Sequence, residues 1–344
     1  MSKSAIVTNS LSKKFGNFTA VDQISFDVKE GEIFGFLGPN GAGKSTTIRM
    51  LCTLSRPSGG SATIAGFDIV RQDSEVRKHI GLVSEKMIMY NELTARENLK
   101  LFGRLYDIPK DELNRRIDEI LSLVHMEKWA DKQIGTYSTG MKQRINVIRA
   151  MVNKPNILFL DEPTLGLDPQ STSEIREVIR KINVENRTTM ILTTHMMVEA
   201  DLLCNRIGII DHGKIVALDT PANLKKMASG TDVAIHEFDI PNLNNAMISA
   251  IKAVGGVSSI VQESETRIKV RSGGDSFDSI LDTVRKCGGK VKEVKSLEPT
   301  LEDVFLRITG REVRDSVSDT VKINHQGGPR HGPMGGGGGS KRGR

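Results

Sequence analysis

The sequence predicts an α/β fold with a helical insertion, followed by a small α+β domain of βαββαβ order and a Gly-rich tail. Three observations carry this prediction. Strand-like and helix-like segments alternate through the first two thirds of the chain. A Gly-rich stretch at 38–45 joins a buried-strand pattern to a helical one. From Val233 a strand–helix–strand unit occurs twice in succession.

In chain order, Ile24–Val28 alternates apolar and polar residues, as a half-buried strand does. Glu32–Leu37 reads as a buried strand, and Thr46–Leu54 reads as a helix after the Gly-rich loop. Residues 87–137 have helical periodicity, few β-branched runs and charges of both signs, so they form the helical insertion. Strand patterns return at Ile157–Leu160, Met190–Thr193, Arg206–Ile210 and Lys214–Leu218. The second unit runs strand Val233–Ile240, helix Leu243–Val254, strand Ser258–Gln262, strand Arg267–Arg271, helix Phe277–Cys287 and strand Lys290–Lys295. That is the order of a ferredoxin-like sandwich. A last helix, Thr300–Thr309, follows Pro299, and the glycines and prolines after Val313 predict a flexible tail. The expected division is 1–228, 229–312 and 313–344.

The 344 residues suffice for one large and one smaller domain. With 26% charged and 38% apolar residues the chain has the balance of a soluble globular protein. No apolar run approaches the roughly 18–20 residues of a membrane-spanning helix, and Met1–Ser10 lacks a secretory pattern. Cys52, Cys204 and Cys287 lie far apart without metal-ligand spacing and read as reduced thiols of a cytosolic protein. The net charge of +6 sits in the tail: residues 321–344 hold five Lys/Arg and no acid, leaving +1 for the rest. The charge therefore gives no reason to read the folded part as a nucleic-acid binder. The tail itself reads as a solvated end, or as a segment that touches anionic lipid or RNA.

Gly38-Pro39-Asn40-Gly41-Ala42-Gly43-Lys44-Ser45, with Thr46 next, fits G-x-x-x-x-G-K-[ST] between a predicted strand and a predicted helix. Glycines let the backbone wrap phosphates and aim N–H groups at them, and the helix N-terminus adds partial positive charge. Lys44 is placed for the β- and γ-phosphates, and the Ser45 hydroxyl for Mg²⁺. Ile157–Leu160 ends in Asp161 and Glu162. Asp161 is expected at the sheet edge as a Mg²⁺ ligand through water, while side-chain alternation sends Glu162 elsewhere, to act on an attacking water.

Further segments narrow the class. Tyr137-Ser138-Thr139-Gly140-Met141-Lys142-Gln143-Arg144 resembles the L-S-G-G-Q signature of ABC ATPases. Asp161-Glu162-Pro163-Thr164 and Gly166-Leu167-Asp168-Pro169 resemble that family's extended Walker B and D-loop, and Thr193-Thr194-His195 resembles its switch histidine. The resemblance covers about residues 4–220, in the family's order. It implies a dimer that sandwiches ATP and Mg²⁺ between the phosphate loop of one copy and Ser138 and Gly140 of the other. It further implies that Glu162 is the base, that His195 holds Glu162 and the γ-phosphate, and that Phe15 stacks on adenine. Taken locally, Ser138 and Gly140 read first as a plain N-cap on a surface helix, and Phe15 reads equally as a core residue. Thr139 and Met141 depart from the signature, and Ile80-Gly81-Leu82-Val83-Ser84-Glu85 puts Glu85 where the family has its Q-loop glutamine. That carboxylate can still ligate Mg²⁺ but adds negative charge beside the triphosphate.

Leu297-Glu298-Pro299-Thr300-Leu301-Glu302-Asp303-Val304-Phe305-Leu306 is similar to the ending of export ATPases of the daunorubicin-resistance and sodium-export kind. The resemblance implies an ATP-hydrolysing subunit at the cytoplasmic face of a membrane, paired as a homodimer or heterodimer, driving a separately encoded permease and binding no nucleic acid. The 229–312 domain reads either as a ligand-sensing unit or as one that widens the dimer interface.

Overall fold

A computed structural model describes residues 3–229, 233–273 and 276–309. β1 (Ser4–Phe15) and β2 (Phe18–Lys29) form an antiparallel hairpin whose tight turn uses Gly16 at φ 56°. β3 (Ile33–Leu37) leads into α1 (Lys44–Leu51), and β4 (Gly59–Ile64) and β5 (Phe67–Asp68) complete a first, antiparallel sheet of order β2-β1-β4-β5. α2 (Asp73–His79) and β6 (Ile80–Val83) precede the insertion, which holds α3 (Ala95–Arg104), α4 (Lys110–Leu123) and two short 3₁₀ turns before α5 (Thr139–Arg149). α3 begins with a capping box, Thr94 and Glu97 each satisfying the other's backbone N–H.

The main sheet follows: β7 (Ile157–Asp161), α6 (Pro169–Asn186), β8 (Thr189–Thr194), α7 (Met197–Leu203), β9 (Arg206–Asp211), β10 (Lys214–Asp219) and α8 (Pro221–Ser229). Its order is β10-β9-β3-β8-β7-β6, parallel except for β10. Alternate residues go to opposite faces. Phe34, Phe36, Ile157, Phe159 and Ile191 join the core shared with α1 and the first sheet. Ile33, Leu37, Leu158, Leu160, Met190 and Leu192 join the core under the helical insertion, α6 and α7. Burial on both faces is why these strands read as continuous apolar runs.

The C-terminal segments form β11 (Val233–Asp239), α9 (Asn245–Lys252), β12 (Val257–Gln262), β13 (Arg267–Gly273), α10 (Phe277–Lys286) and β14 (Glu293–Leu297). The sheet order β12-β13-β11-β14, all antiparallel, is that of the expected βαββαβ sandwich. β14 lies about three residues later than the pattern suggested, because Gly288 and Gly289 extend the turn after α10. α11 (Leu301–Thr309) does not add to this small core. Leu301, Val304 and Phe305 bury instead in the larger core, beside Ala200, Leu203 and Leu224. The tail expected from 313 onward lies outside the described residues. Among the described residues no helix is long and apolar enough to cross a membrane.

The sequence patterns missed the strands β1, β4, β5 and β6. β1 changes register with β2 four times and carries exposed polar residues, so its alternation is broken.

Candidate functional site

The parallel strands β3, β6, β7 and β8 all deliver their carboxyl ends to one edge of the sheet, where open α/β folds bind ligands. The loop after β3 needs its glycines. Gly41 and Gly43 adopt φ of 81° and 108°, conformations that cost other residues about 1 kcal/mol or more. A Cβ on Gly38 would stand 2.2 Å from the Ile210 carbonyl oxygen, and one on Gly43 2.5 Å from that of Ala20. Lys44 opens α1 and is 5% exposed. Its ammonium donates to the carbonyls of Gly38 at 2.7 Å and Pro39 at 3.2 Å, and stands 3.2 Å from Glu162 Oε1.

Asp161 ends β7. Its Oδ1 accepts from Ser45 Oγ at 3.0 Å and from Thr193 Oγ1 at 2.6 Å. Glu162 does not continue the strand. Its φ is 49°, left-handed backbone for a non-glycine residue, held by its N–H donating to the Thr193 carbonyl and hydroxyl, both at 3.1 Å. Alternation therefore does not direct this side chain: the reversed backbone aims it at Lys44 on one side and at His195 on the other. His195 Nδ1 lies 2.9 Å from Glu162 Oε2. Such strain in a buried, charge-paired residue is the kind that clusters at active sites.

Lys44, Ser45 and Glu162 line a cleft of about 430 Å³, whereas Gly38, Asp161 and His195 are not among its lining residues. Phe15 and Phe18, the loop residues Pro39, Asn40, Gly41, Gly43, Lys44, Ser45 and Thr46, and Glu85, Glu162 and Leu165 all line it. Phe15 and Phe18 are 54% and 63% exposed, so neither is a core residue. Phe18 was not singled out from sequence. The signal for it is the two-residue Gly16-Asn17 turn, which sets Phe18 directly across from Phe15. Ala42 does not line the cleft and packs in the core. Ser45 and Asp161 offer a hydroxyl and a carboxylate 3.0 Å apart, with Glu85 on the same cleft as Ser45. These are the hard oxygen donors Mg²⁺ takes when substrate phosphates supply the remaining ligands, so the residues fit the ion.

The signature segment is elsewhere. Ser138 is exposed and caps α5, its Oγ accepting from the Met141 N–H at 3.2 Å. Gly140 is buried where α5 meets α6, and a Cβ there would stand 2.3 Å from Ser171 Oγ. Neither lines the chain's own cleft. Sequence reasoning also left out the roles of Gln143, Thr164, Thr193 and Glu199, all buried polar residues around the same edge.

Residues 21–165 match the ABC transporter family, and residues 220–309 match the C-terminal domain of DrrA1-3-like ATP-binding proteins. The chain is 37% identical over 308 residues to the linearmycin resistance ATP-binding protein LnrL of Bacillus subtilis (strain 168), covering 89% of this chain and 98% of that one. It is 36% identical over 317 residues to the daunorubicin resistance ATP-binding protein DrrA2 of Streptomyces coeruleorubidus, covering 91% and 97%. Among solved structures, it is similar to a dimeric ATP-binding cassette in a post-hydrolysis state bound to ADP and Pi. There the TM-score is 0.57 and the identity 27%, over 62% of this chain and 98% of that one.

Proposed function

The chain belongs to the ABC transporter family as an ATP-hydrolysing subunit, and from that premise we propose that two copies close on two Mg·ATP and thereby drive a separate membrane permease in export. The observation that carries this reading is Glu162, a strained and buried carboxylate held between Lys44 and His195 beside the Asp161–Ser45 pair.

Each residue then has a task. The backbone of 38–43 and the N-terminus of α1 cradle the phosphates, and Lys44 neutralises charge on the transferring phosphoryl group. Glu162 takes the proton of the attacking water, and His195 keeps that carboxylate oriented. Phe15 and Phe18 stack on adenine. Ser45, Asp161 and Glu85 hold Mg²⁺, which when bound draws negative charge off the phosphates. Ser138 and Gly140 serve the partner's nucleotide. That neither lines this chain's own cleft supports that reading, as does the helix start with no acid in its first turn.

Transport needs a docking face. Ile88, Tyr90, Leu105 and Tyr106 are exposed apolar residues on the insertion that follows Glu85, and exposed apolar side chains of this kind suit a cytoplasmic segment of a permease. The protein then sits peripherally on the cytoplasmic face. The relatives' names, which speak of resistance to linearmycin and daunorubicin, support the export direction. The domain division at 228/229, with 229–312 as an accessory domain, belongs to the same proposal.

The test is Glu162→Gln. Phosphate release is expected to fall about 10²–10⁴-fold while Mg·ATP converts the protein to a dimer on size exclusion. Affinity capture with this variant from detergent-solubilised native membranes is expected to recover a polytopic membrane protein. Hydrolysis at the wild-type rate would overturn the assignment of the base, and recovery of ribosomes or nucleic acid alone would overturn the transport reading.

A further inference from the structure

Buried polar side chains outside the cleft converge on the turn that follows Glu162. From α5, Gln143 Nε2 donates to the Pro163 carbonyl at 2.6 Å. Asn146, one turn further along that helix, donates to Gln143 Oε1 at 3.3 Å and to the Ser84 carbonyl, next to Glu85, at 3.3 Å. From the opposite side, Thr164 Oγ1 donates to Glu199 Oε1 of α7 at 2.8 Å. Gln143, Asn146, Thr164 and Glu199 are all under 5% exposed.

Glu199 is the informative member. It is fully buried, yet Arg176 Nε comes no nearer than 3.9 Å to its Oε1, and its close partners are the hydroxyls of Thr164 and Thr194. Burial raises its pKa, and Thr194, Thr164 and Arg176 oppose that rise. A buried carboxylate so loosely paired costs stability compared with an apolar residue of the same size. Packing therefore does not account for it, whereas ties to the Thr164 and Thr194 hydroxyls do. α7 begins two residues after His195, so Glu199 lies on the helix that directly follows the histidine.

We propose that Gln143 and Glu199 are positioning residues that grip Pro163–Thr164 from α5 and α7, and so set the left-handed turn that aims Glu162 at His195 and Lys44. The reach of Asn146 to Ser84 ties the Glu85 segment into the same grip. The proposal rests on the reading of Glu162 as the base.

The experiment compares Thr164→Val, which keeps the shape and removes the hydroxyl, with Thr164→Ser, which keeps the hydroxyl. Gln143→Leu tests the other hand of the grip. Steady-state ATPase and binding of a fluorescent ATP analogue are measured for each, alone and in the Glu162→Gln background. Thr164→Val and Gln143→Leu are expected to lower kcat roughly tenfold or more with KM and analogue affinity within about twofold, while Thr164→Ser recovers most of the rate. In the Glu162→Gln background neither is expected to lower the residual rate further, because the grip acts through that carboxylate. Wild-type kcat in Thr164→Val, equal losses in Val and Ser, a KM that rises in step, or a further loss in the Glu162→Gln background would each overturn the proposal. Wild-type turnover by Glu162→Gln with a loss in Thr164→Val would sink the base and show that the turn acts on some other group.

Discussion

Gly140→Ala separates what the signature segment does for the fold from what it does for catalysis. The added Cβ would lie 2.3 Å from Ser171 Oγ and 2.8 Å from Ser171 Cβ. The hydroxyl can swing away, but only by giving up its 2.6 Å hydrogen bond to Asp168 at the start of α6. The Cβ cannot swing, so α5 and α6 must part by about half an ångström at their contact, an overpacking that costs about 1–3 kcal/mol. Replacing a helical glycine returns at most about 0.5–1 kcal/mol. The net expectation is a loss of about 1–2 kcal/mol, or a fall of roughly 0.5–1 M in the urea midpoint at unchanged slope. Ser171→Gly removes both clashing atoms, so Gly140→Ala/Ser171→Gly is expected to be more stable than the sum of the single changes by about 1–2 kcal/mol. Additive midpoints would refute the packing argument. Hydrolysis adds a second axis. If Gly140 also lets a partner's triphosphate approach closely, the double variant regains stability while its ATPase activity stays depressed. Full recovery of activity with stability would assign Gly140 to packing alone.

Two other expectations follow from the geometry. Phe15→Ala is expected to weaken ATP-analogue binding by about 1–3 kcal/mol, or roughly 5- to 150-fold, with Phe18→Ala acting in the same direction, because exposed rings lining the cleft offer a stacking platform. Unchanged affinity in Phe15→Ala, measured by equilibrium titration, would remove it from the adenine site. Burial alone would raise the carboxyl of Asp303, but the Thr300 N–H and hydroxyl, Lys269 and Arg271 outweigh it and hold the pKa below the usual carboxylate value of 3.8. A folded pKa depressed in this way contributes stability above the unfolded value and loses it as pH falls through the folded one. Asp303→Asn is therefore expected to be less stable near neutrality, with a melting temperature that falls less steeply than the wild type's below about pH 4. Parallel melting curves across that range would refute the pairing.

Two carboxylate ties, Arg271 to Asp303 and Thr164 to Glu199, bracket α7 and α11. The first holds α11 to the small sheet, while Leu301, Val304 and Phe305 hold its other face in the larger core. The 297–306 segment singled out from sequence therefore closes the 220–309 match and also ties the small sheet to the larger core.

What the sequence determined by itself was whatever depends on short-range chemistry. The phosphate loop was legible because its glycines, Lys44 and Ser45 must follow one another for the backbone to turn and the helix to start. Strands buried on both faces and the βαββαβ order of the second unit were legible for similar reasons, each being written in contiguous residues. Only the tertiary structure decided the rest. Thr193 meets Asp161, Glu199 meets Thr164 and Ser171 bars a side chain at Gly140 across 31 to 35 positions of chain. No local pattern encodes such meetings. The direction of Glu162 belongs here as well: strand alternation is a rule about extended backbone, and the hydrogen bonds from β8 that end the strand at Asp161 come from the neighbouring chain segment, where the rule has no reach.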